Sequence, residues 1–377
     1  MIETVRCQNV KVLRQVEVDL QRLTVFVGPN ASGKTSILEA LDYTVRASKG
    51  TEESLCAIAD ELWNLTRSGA PAQIVLCAHS SEGTVWVGFH GPHFDPFGGA
   101  QTAVSFRKDG KEYILKRLMH GAGLLAPDRE GRPAEAFLRL DPRKLASASY
   151  SEEPTPRMEP DGHGLPSVLA YLATTRPEDY AALLSGLREV IPIVQAMRFP
   201  RAAVVRPVSE IITVDGKPYT HHGEKTFWGN SIEFDVLGGR SIPASRVSEG
   251  TLLVLGILTA VLGPARPRLL LLDDVDRALH PKAQKDLVAL LRKLMEANPE
   301  LQIVATSHSP YLLDHLKPEE VRLTTLREDG SAACARLQDH PEFEKWKDEM
   351  SPGEFWSTVG EKWVADVGPE AGKEKQG

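Results

Sequence analysis

Residues 28–35, Gly28-Pro29-Asn30-Ala31-Ser32-Gly33-Lys34-Thr35, fit the pattern G-x-x-x-x-G-K-[ST] in full. What flanks the pattern narrows the fold. Before it runs Leu23-Thr24-Val25-Phe26-Val27, a continuous apolar and β-branched run of the kind expected of a strand buried on both faces. After it, Ile37, Leu38, Leu41 and Val45 share one face of a helix. Strand, glycine turn and helix in that order make a phosphate cradle. The glycines let backbone N–H groups curl around phosphate oxygens, and the helix N-terminus adds partial positive charge. Lys34 is placed to reach β- and γ-phosphates, and the Thr35 hydroxyl to ligate Mg²⁺. Residues 28–35, with Ser36 behind them, form the expected phosphate-contacting set.

Three further stretches carry polar groups at the ends of apolar elements. Leu269-Leu270-Leu271-Leu272 reads as a buried strand that ends in Asp273 and Asp274. A carboxylate at such a strand end can reach the Mg²⁺ beside the phosphates. Asp273 is the candidate metal-associated acid, and Asp274 the candidate that polarises an attacking water. A second buried run, Ile303-Val304-Ala305-Thr306, leads into Ser307-His308-Ser309-Pro310. His308 there can hydrogen-bond a γ-phosphate, although a histidine in such a place serves equally as a structural one. Ser248-Glu249-Gly250-Thr251 opens an apolar helix over residues 248–262. That helix start is an anion site or an ordinary serine cap.

The rest of the chain falls around these parts. Short strands of an antiparallel sheet are expected between Ile74 and Leu115, with a loop over residues 91–99. An irregular crossing is expected over residues 126–164. A helical region spans Leu165–Ile191 with a break near Pro177, and strands return over residues 202–236. Leu287, Leu290, Leu291 and Leu294 mark an amphipathic helix over residues 283–297. The tail from Gly368 is polar and expected to be disordered. No internal repeat and no sustained heptad pattern is visible, which excludes a long coiled-coil arm.

Composition excludes several classes. Hydrophobic residues make up 42% of the 377, a globular proportion. The 44 Lys and Arg against 51 Asp and Glu leave a net charge of −7, which opposes coating of nucleic acid or an anionic membrane by bulk charge. Cys7, Cys56, Cys77 and Cys334 share no CxxC spacing, so neither a zinc ribbon nor a disulfide framework is implied. The longest apolar stretch, Leu252–Leu262, is too short to span a bilayer, and the N-terminus carries no secretory pattern. A cytoplasmic protein with no membrane partner is expected.

The order of the motifs resembles the ABC-type ATPase head, and more narrowly its RecF, SMC and OLD branch, in the form of compact stand-alone AAA-family ATPases without a Toprim domain. Residues 2–34 look like that branch's first hairpin and phosphate loop, and Val247-Ser248-Glu249-Gly250-Thr251-Leu252 like its signature motif. Residues 272–281, from Leu272-Asp273-Asp274-Val275-Asp276 to His280-Pro281, look like its Walker B and D-loop. Residues 306–313, opening Thr306-Ser307-His308, look like its histidine switch. Asp161-Gly162-His163-Gly164-Leu165 resembles a weaker motif of compact members.

The resemblance implies an α/β fold of the P-loop NTPase, ABC-ATPase type: a mixed central sheet flanked by helices, with an added antiparallel β subdomain and a helical lobe. Residues 1–377 would then be a single head. Residues 1–125 hold the phosphate loop and antiparallel strands, 126–250 the helical lobe and the strands leading to the signature, 251–340 the remaining core motifs, and 341–377 a C-terminal segment. It implies ATP and Mg²⁺ as cofactors, with Lys34, Asp274 and His308 as the catalytic set. It also implies a homodimer that sandwiches ATP, so that Ser248 and Gly250 contact nucleotide on the partner chain. ATP hydrolysis would drive a switch acting on DNA or on a separately encoded effector, in DNA maintenance or phage defence; the alternative is an ATP-closed scaffold with negligible turnover. A P-loop kinase or GTPase gives residues 248–251 and His308 no role.

Departures from the pattern bear on the mechanism. Asp274 stands where the usual acid is Glu, so turnover is expected to be slow. Asp276 also stands where Glu is frequent. Ala31 replaces a frequent glycine, tolerable if the position is helical. Gln101 is the candidate Q-loop residue. Too few residues follow Pro310 for a Toprim nuclease, so none is expected. The basic groups Arg198/Arg201/Arg206 and Arg139/Arg143/Lys144 allow at best weak, salt-sensitive DNA binding.

Overall fold

The computed structural model describes residues 1–49, 73–80, 83–90, 104–108, 111–115, 135–214 and 217–367. Cys56, Gln101, the loop at 91–99, residues 126–134 and the tail from Gly368 lie outside the described residues. The chain divides into two compact units. The first comprises Met1–Phe137, Pro267–Arg277 and Leu291–Gly377, and the second Leu138–Arg266 and Ala278–Leu290.

The N-terminal part of the first unit supplies β1 (Ile2–Val10), β2 (Leu13–Asp19), β3 (Leu23–Val27), α1 (Lys34–Lys49), β4 (Gln73–Ser80), β5 (Gly83–His90), β6 (Val104–Lys108), β7 (Lys111–Leu115) and β8 (Glu135–Leu138). β1 and β2 bury alternate residues, with Val5, Cys7, Val16 and Val18 turned inward, as the two-residue period of a half-covered sheet requires. They belong to a six-stranded sheet in the order β2-β1-β4-β5-β6-β7, antiparallel throughout. The antiparallel sheet expected over residues 74–115 is therefore present.

The second unit opens with α2 (Pro142–Ala146), α3 (Leu165–Thr175) and α4 (Pro177–Val190), the last two separated by Arg176. It continues with β9 (Val194–Arg198), the long hairpin β10 (Arg201–Val214) and β11 (Lys217–Asn230), then β12 (Glu233–Val236), β13 (Gly239–Pro243) and α5 (Glu249–Leu262). α5 is buried on nearly every side, from Gly250 through Val261, which explains a sequence with almost no polar face. The crossing expected to be irregular holds two elements. β8 joins a sheet edge, and α2 is nucleated by Asp141, whose carboxylate accepts from the Arg143 N–H at 2.8 Å, with Pro142 in the first turn.

The remaining elements are β14 (Leu269–Leu272), α6 (Pro281–Ala297), β15 (Gln302–Ser307), α7 (Pro310–Leu313), β16 (Val321–Leu326), β17 (Ala332–Arg336), α8 (Phe343–Trp346) and α9 (Pro352–Val359). The second sheet of the first unit runs β17-β16-β3-β15-β14-β8. Its strands β16, β3, β15 and β14 are mutually parallel, and β17 is antiparallel to β16. β3, β14 and β15 are buried at every position, as strands covered on both faces must be. Ile37, Leu38, Leu41 and Val45 of α1 join Val5 and Val18 of the first sheet and Phe26, Leu269 and Val304 of the second in one hydrophobic core. The helix is thus held between the two sheets, and its N-terminus is fixed beside the ends of β3, β14 and β15.

Candidate functional site

β3 ends at Val27, and the chain turns through residues 28–33 into α1. Gly28 has φ +148°, and a Cβ there would lie 2.2 Å from the Thr324 carbonyl oxygen, so only glycine fits against β16. Ser32 is pinned to the same residue: its Oγ and Thr324 Oγ1 are 2.6 Å apart, and Thr324 Oγ1 also donates to the Val27 carbonyl at 3.2 Å. Pro29, Asn30 and Ala31 form the exposed rim, while Ser32, Gly33 and Lys34 are buried and Thr35 and Ser36 half-buried. Ala31 has φ +62°, the left-handed region, and lies before the helix begins. The condition for tolerating alanine there, a helical backbone, is not met, and the loop carries the strain of a Cβ in that region.

Lys34 curls back over the loop. Its ammonium donates to the carbonyls of Gly28 at 3.0 Å and Pro29 at 2.7 Å. Burial lowers its pKa, against the opposing pull of the Asp274, Asp273 and Asp276 carboxylates. A cation held in a desolvated loop with three acids nearby gains much from an arriving polyphosphate.

The ends of β14 and β15 are laced together beside it. Thr35 Oγ1 donates to the Asp273 carboxylate, at 2.9 Å from Oδ1 and 3.1 Å from Oδ2. Thr306 Oγ1 donates to Asp273 Oδ1 at 2.8 Å and accepts from the Asp274 N–H at 2.8 Å. The Val275 N–H donates to the Thr306 carbonyl at 3.0 Å. Asp274 itself has φ +53° and is half exposed, and its Oδ1 stands 3.5 Å from His308 Nε2. Lys34, Thr35, Asp273, Asp274 and His308 are thereby brought to one place. Hydroxyl and carboxylate oxygens facing each other at Thr35 and Asp273 are the hard donors Mg²⁺ prefers, and one carboxylate beside phosphates suits it better than an all-protein cage.

Ser248 and Gly250 belong to the second unit. Ser248 is the N-cap of α5: its Oγ accepts from the Thr251 N–H at 3.3 Å and lies 2.7 Å from Thr251 Oγ1. The serine is exposed and Gly250 is buried. A Cβ on Gly250 would meet the Ala278 carbonyl oxygen and Leu279 Cδ2, each at 2.8 Å. The Asp161–Gly164 stretch is a tight turn in which the Asp161 carboxylate accepts from the His163 N–H at 2.9 Å, and it leads into α3. Two of the candidate DNA-contacting arginines are engaged locally: Arg198 pairs with Asp235, and Arg206 donates to the Tyr150 carbonyl and covers its ring.

Two residues organise the site in ways the sequence did not signal, Thr324 not singled out at all and Thr306 read only as the first residue of the histidine-switch stretch. Thr324 lies in a plain strand run, and only the pairing of β16 with β3 reveals it as the floor of the loop. Thr306 shows its role only through the register of β15 against β14, in which Leu272 faces Ala305.

A glycine loop capped by a lysine between a buried strand and a helix, with acids and a histidine at the ends of neighbouring parallel strands, defines an α/β ATP-binding protein of the P-loop, ABC-type ATPase class. Comparison with known proteins agrees. Residues 106–314, more than half of the chain, match the family described as "AAA domain, putative AbiEii toxin, Type IV TA system", and the chain belongs to that family. Residues 1–112 match a second family, described as "AAA ATPase domain". No curated protein matches. Among solved structures the chain is similar to an SMC head bound to the C-terminal winged-helix domain of ScpA, at 14% identity and TM-score 0.53, covering 90% of this chain and 98% of that one. It is likewise similar to the SMC head with an extended coiled coil bound to the C-terminal domain of ScpA, derived from Pyrococcus furiosus, at 12% identity and TM-score 0.50, covering 92% and 99%. These likenesses show the fold. Among the described residues no helix is long and apolar enough to cross a membrane.

Proposed function

We propose that the chain is an ATP-hydrolysing switch that dimerises around ATP and controls a separately encoded effector. The observation that carries this reading is the junction of Lys34, Thr35, Asp273, Thr306, Asp274 and His308, in which Lys34 closes over its own loop and the other five are paired across the ends of α1, β14 and β15. Lys34 and the first N–H groups of α1 hold the β- and γ-phosphates. Thr35 and Asp273 would hold Mg²⁺, which would supply neutralisation of the phosphate charge. Asp274 orients and polarises the attacking water. His308 hydrogen-bonds the γ-phosphate and loses that partner on hydrolysis. Ser248 and Gly250 reach nucleotide held by the partner subunit, so the γ-phosphate contributes contacts present only in the closed dimer. That difference in contacts is what lets a ligand shift a two-state equilibrium.

The family description names a putative toxin of a toxin–antitoxin pair, and the similar SMC heads were seen with a ScpA domain bound. Both support a protein partner for this chain. DNA has weaker support, because Arg198 and Arg206 are occupied within the second unit. The test is phosphate release from ATP with Mg²⁺. Wild-type turnover should exceed that of Asp274→Ala by on the order of 10²–10⁴-fold, the usual worth of a positioned acid or base. Wild-type turnover no faster than that of Asp274→Ala would overturn the hydrolysis reading. It would favour the second one, an ATP-closed scaffold with negligible turnover. The observation behind that alternative is Asp274 itself, one methylene shorter than Glu and held at φ +53°.

A further inference from the structure

α7 begins two residues after His308, and a later stretch of the first unit, residues 351–367, is fastened to it. Asp314 closes α7, and its Oδ1 accepts from the Ser351 hydroxyl at 2.6 Å and from the Gly353 N–H at 3.0 Å. The same hydroxyl caps α9, accepting from the Glu354 N–H at 3.4 Å. The first turn of α9 lies so close to α7 that a Cβ on Gly353 would stand 2.1 Å from the Pro310 carbonyl oxygen and 2.4 Å from Asp314 Oδ1. A contact with no slack transmits a displacement rather than absorbing it. Further along, the turn Lys362–Asp366 packs on β16 and β17. Arg327, which follows β16, holds that end: Nε donates to the Ala365 carbonyl at 3.2 Å and Nη2 to the Val367 carbonyl at 3.3 Å. His340 joins the two ends, its ring nearly perpendicular to Phe355 at 5.1 Å and to Trp363 at 5.0 Å between centroids. Phe355 and Val364 are fully buried in the same stretch.

We propose that residues 351–367 form a strap whose seating and the conformation of the His308 stretch depend on each other, so that nucleotide state is passed from the site to the surface of that strap. Two separate anchors carry this. One end is bonded to α7, whose first residue lies two positions beyond His308. The other is bonded to Arg327, three positions beyond the Thr324 that floors the phosphate loop. The strap thus spans the helix that follows the histidine and the strand beneath the loop. A shift of His308 moves Ser309 and Pro310 with it, because the Ser309 N–H is bonded to Ser307 Oγ at 3.0 Å and the Asp314 N–H to the Pro310 carbonyl at 3.3 Å. Such a shift must carry α9 along or break the bonds at Asp314. The coupling is reciprocal, so whatever loosens the strap loosens the His308 stretch. That nucleotide sets the seating rests on the reading of His308 as the group that faces the γ-phosphate; the tie between strap and histidine does not.

The test is amide hydrogen exchange of the full chain, read by mass spectrometry on peptides covering residues 307–316 and 351–367. Without nucleotide, Asp314→Ala should speed exchange in both peptides by on the order of tenfold, the size expected when about one net hydrogen bond is lost from a local opening equilibrium. Faster exchange at 351–367 alone would overturn the coupling, as would no change in either peptide. Asp314→Asn keeps an acceptor for the Gly353 N–H and should change exchange by no more than about twofold. If Asp314→Ala does not fold, Gly353→Ala presses a methyl against the Pro310 carbonyl and carries the same expectations. With saturating ATP and Mg²⁺, wild-type exchange at 351–367 should change by at least about threefold, and His308→Ala should abolish that change. Nucleotide that alters exchange at 307–316 and leaves 351–367 untouched would overturn the coupling. If ATP alters neither peptide while Asp314→Ala still moves both, the coupling stands and the reading of His308 as the γ-phosphate contact fails.

Discussion

At the scale of single residues, two non-glycine positions in the site adopt left-handed backbone, Ala31 at φ +62° and Asp274 at φ +53°. Asparagine and aspartate tolerate that region better than most residues, because a short polar side chain can bond locally, whereas alanine gains nothing there. The two positions therefore behave differently on substitution. Ala31→Gly removes a strain of about 1 kcal/mol, partly offset by the greater freedom of glycine in the unfolded chain, and should raise the midpoint of thermal unfolding. A lowered midpoint would show that the Ala31 methyl makes contacts worth more than the strain. Both conformations were illegible in the sequence. Neighbours that press the turn into shape come from β16 and β15, which lie some 290 and 30 residues further along. That Lys34, Thr35, Asp273, Asp274 and His308 would meet was legible, because the candidate chemistry asks for glycine and lysine at fixed spacing and an acid at a strand end.

At the scale of elements, the buried strands β3, β14 and β15 announced themselves as apolar runs, and α1, α5 and α6 by their periodicity or their lack of a polar face. β16 and β17 did not. Val321-Arg322-Leu323-Thr324 alternates apolar and polar residues as a half-exposed strand would, yet all four are buried. Arg322 is the reason the pattern misleads. Its guanidinium, 1% exposed, donates to the Asp19 carbonyl at 3.0 Å, to the Asp19 carboxylate at 2.7 Å, and to the carbonyls of Glu319 at 2.7 Å and Val321 at 3.1 Å. A charge can be buried when its donors are so satisfied. Arg322→Leu leaves those acceptors unpaired and should cost on the order of 2–3 kcal/mol. Because β16 also carries Thr324 under the phosphate loop, nucleotide affinity should fall with stability, which titration calorimetry and urea unfolding would both register. A loss of stability with ATP affinity intact would separate Arg322 from the loop.

At the scale of the whole molecule, the net charge of −7 is consistent with a chain that meets phosphates through one loop and one lysine rather than through a basic surface. Of the acids that contribute to that charge, Asp273 is committed to Thr35 and Thr306. Ser248 and Gly250, the proposed signature residues, belong to the second unit, at the start of a helix too apolar to be anything but a core element. In the switch mechanism their nucleotide partner is supplied by a second copy, and this is the part that no single chain can display. The decisive measurement is the solution mass of Asp274→Ala by light scattering, with and without ATP and Mg²⁺. The ATP sandwich predicts a species of 41.4 kDa without nucleotide and of twice that mass with it, reverting when Lys34→Ala is added. A mass that does not change on adding saturating ATP would contradict the switch.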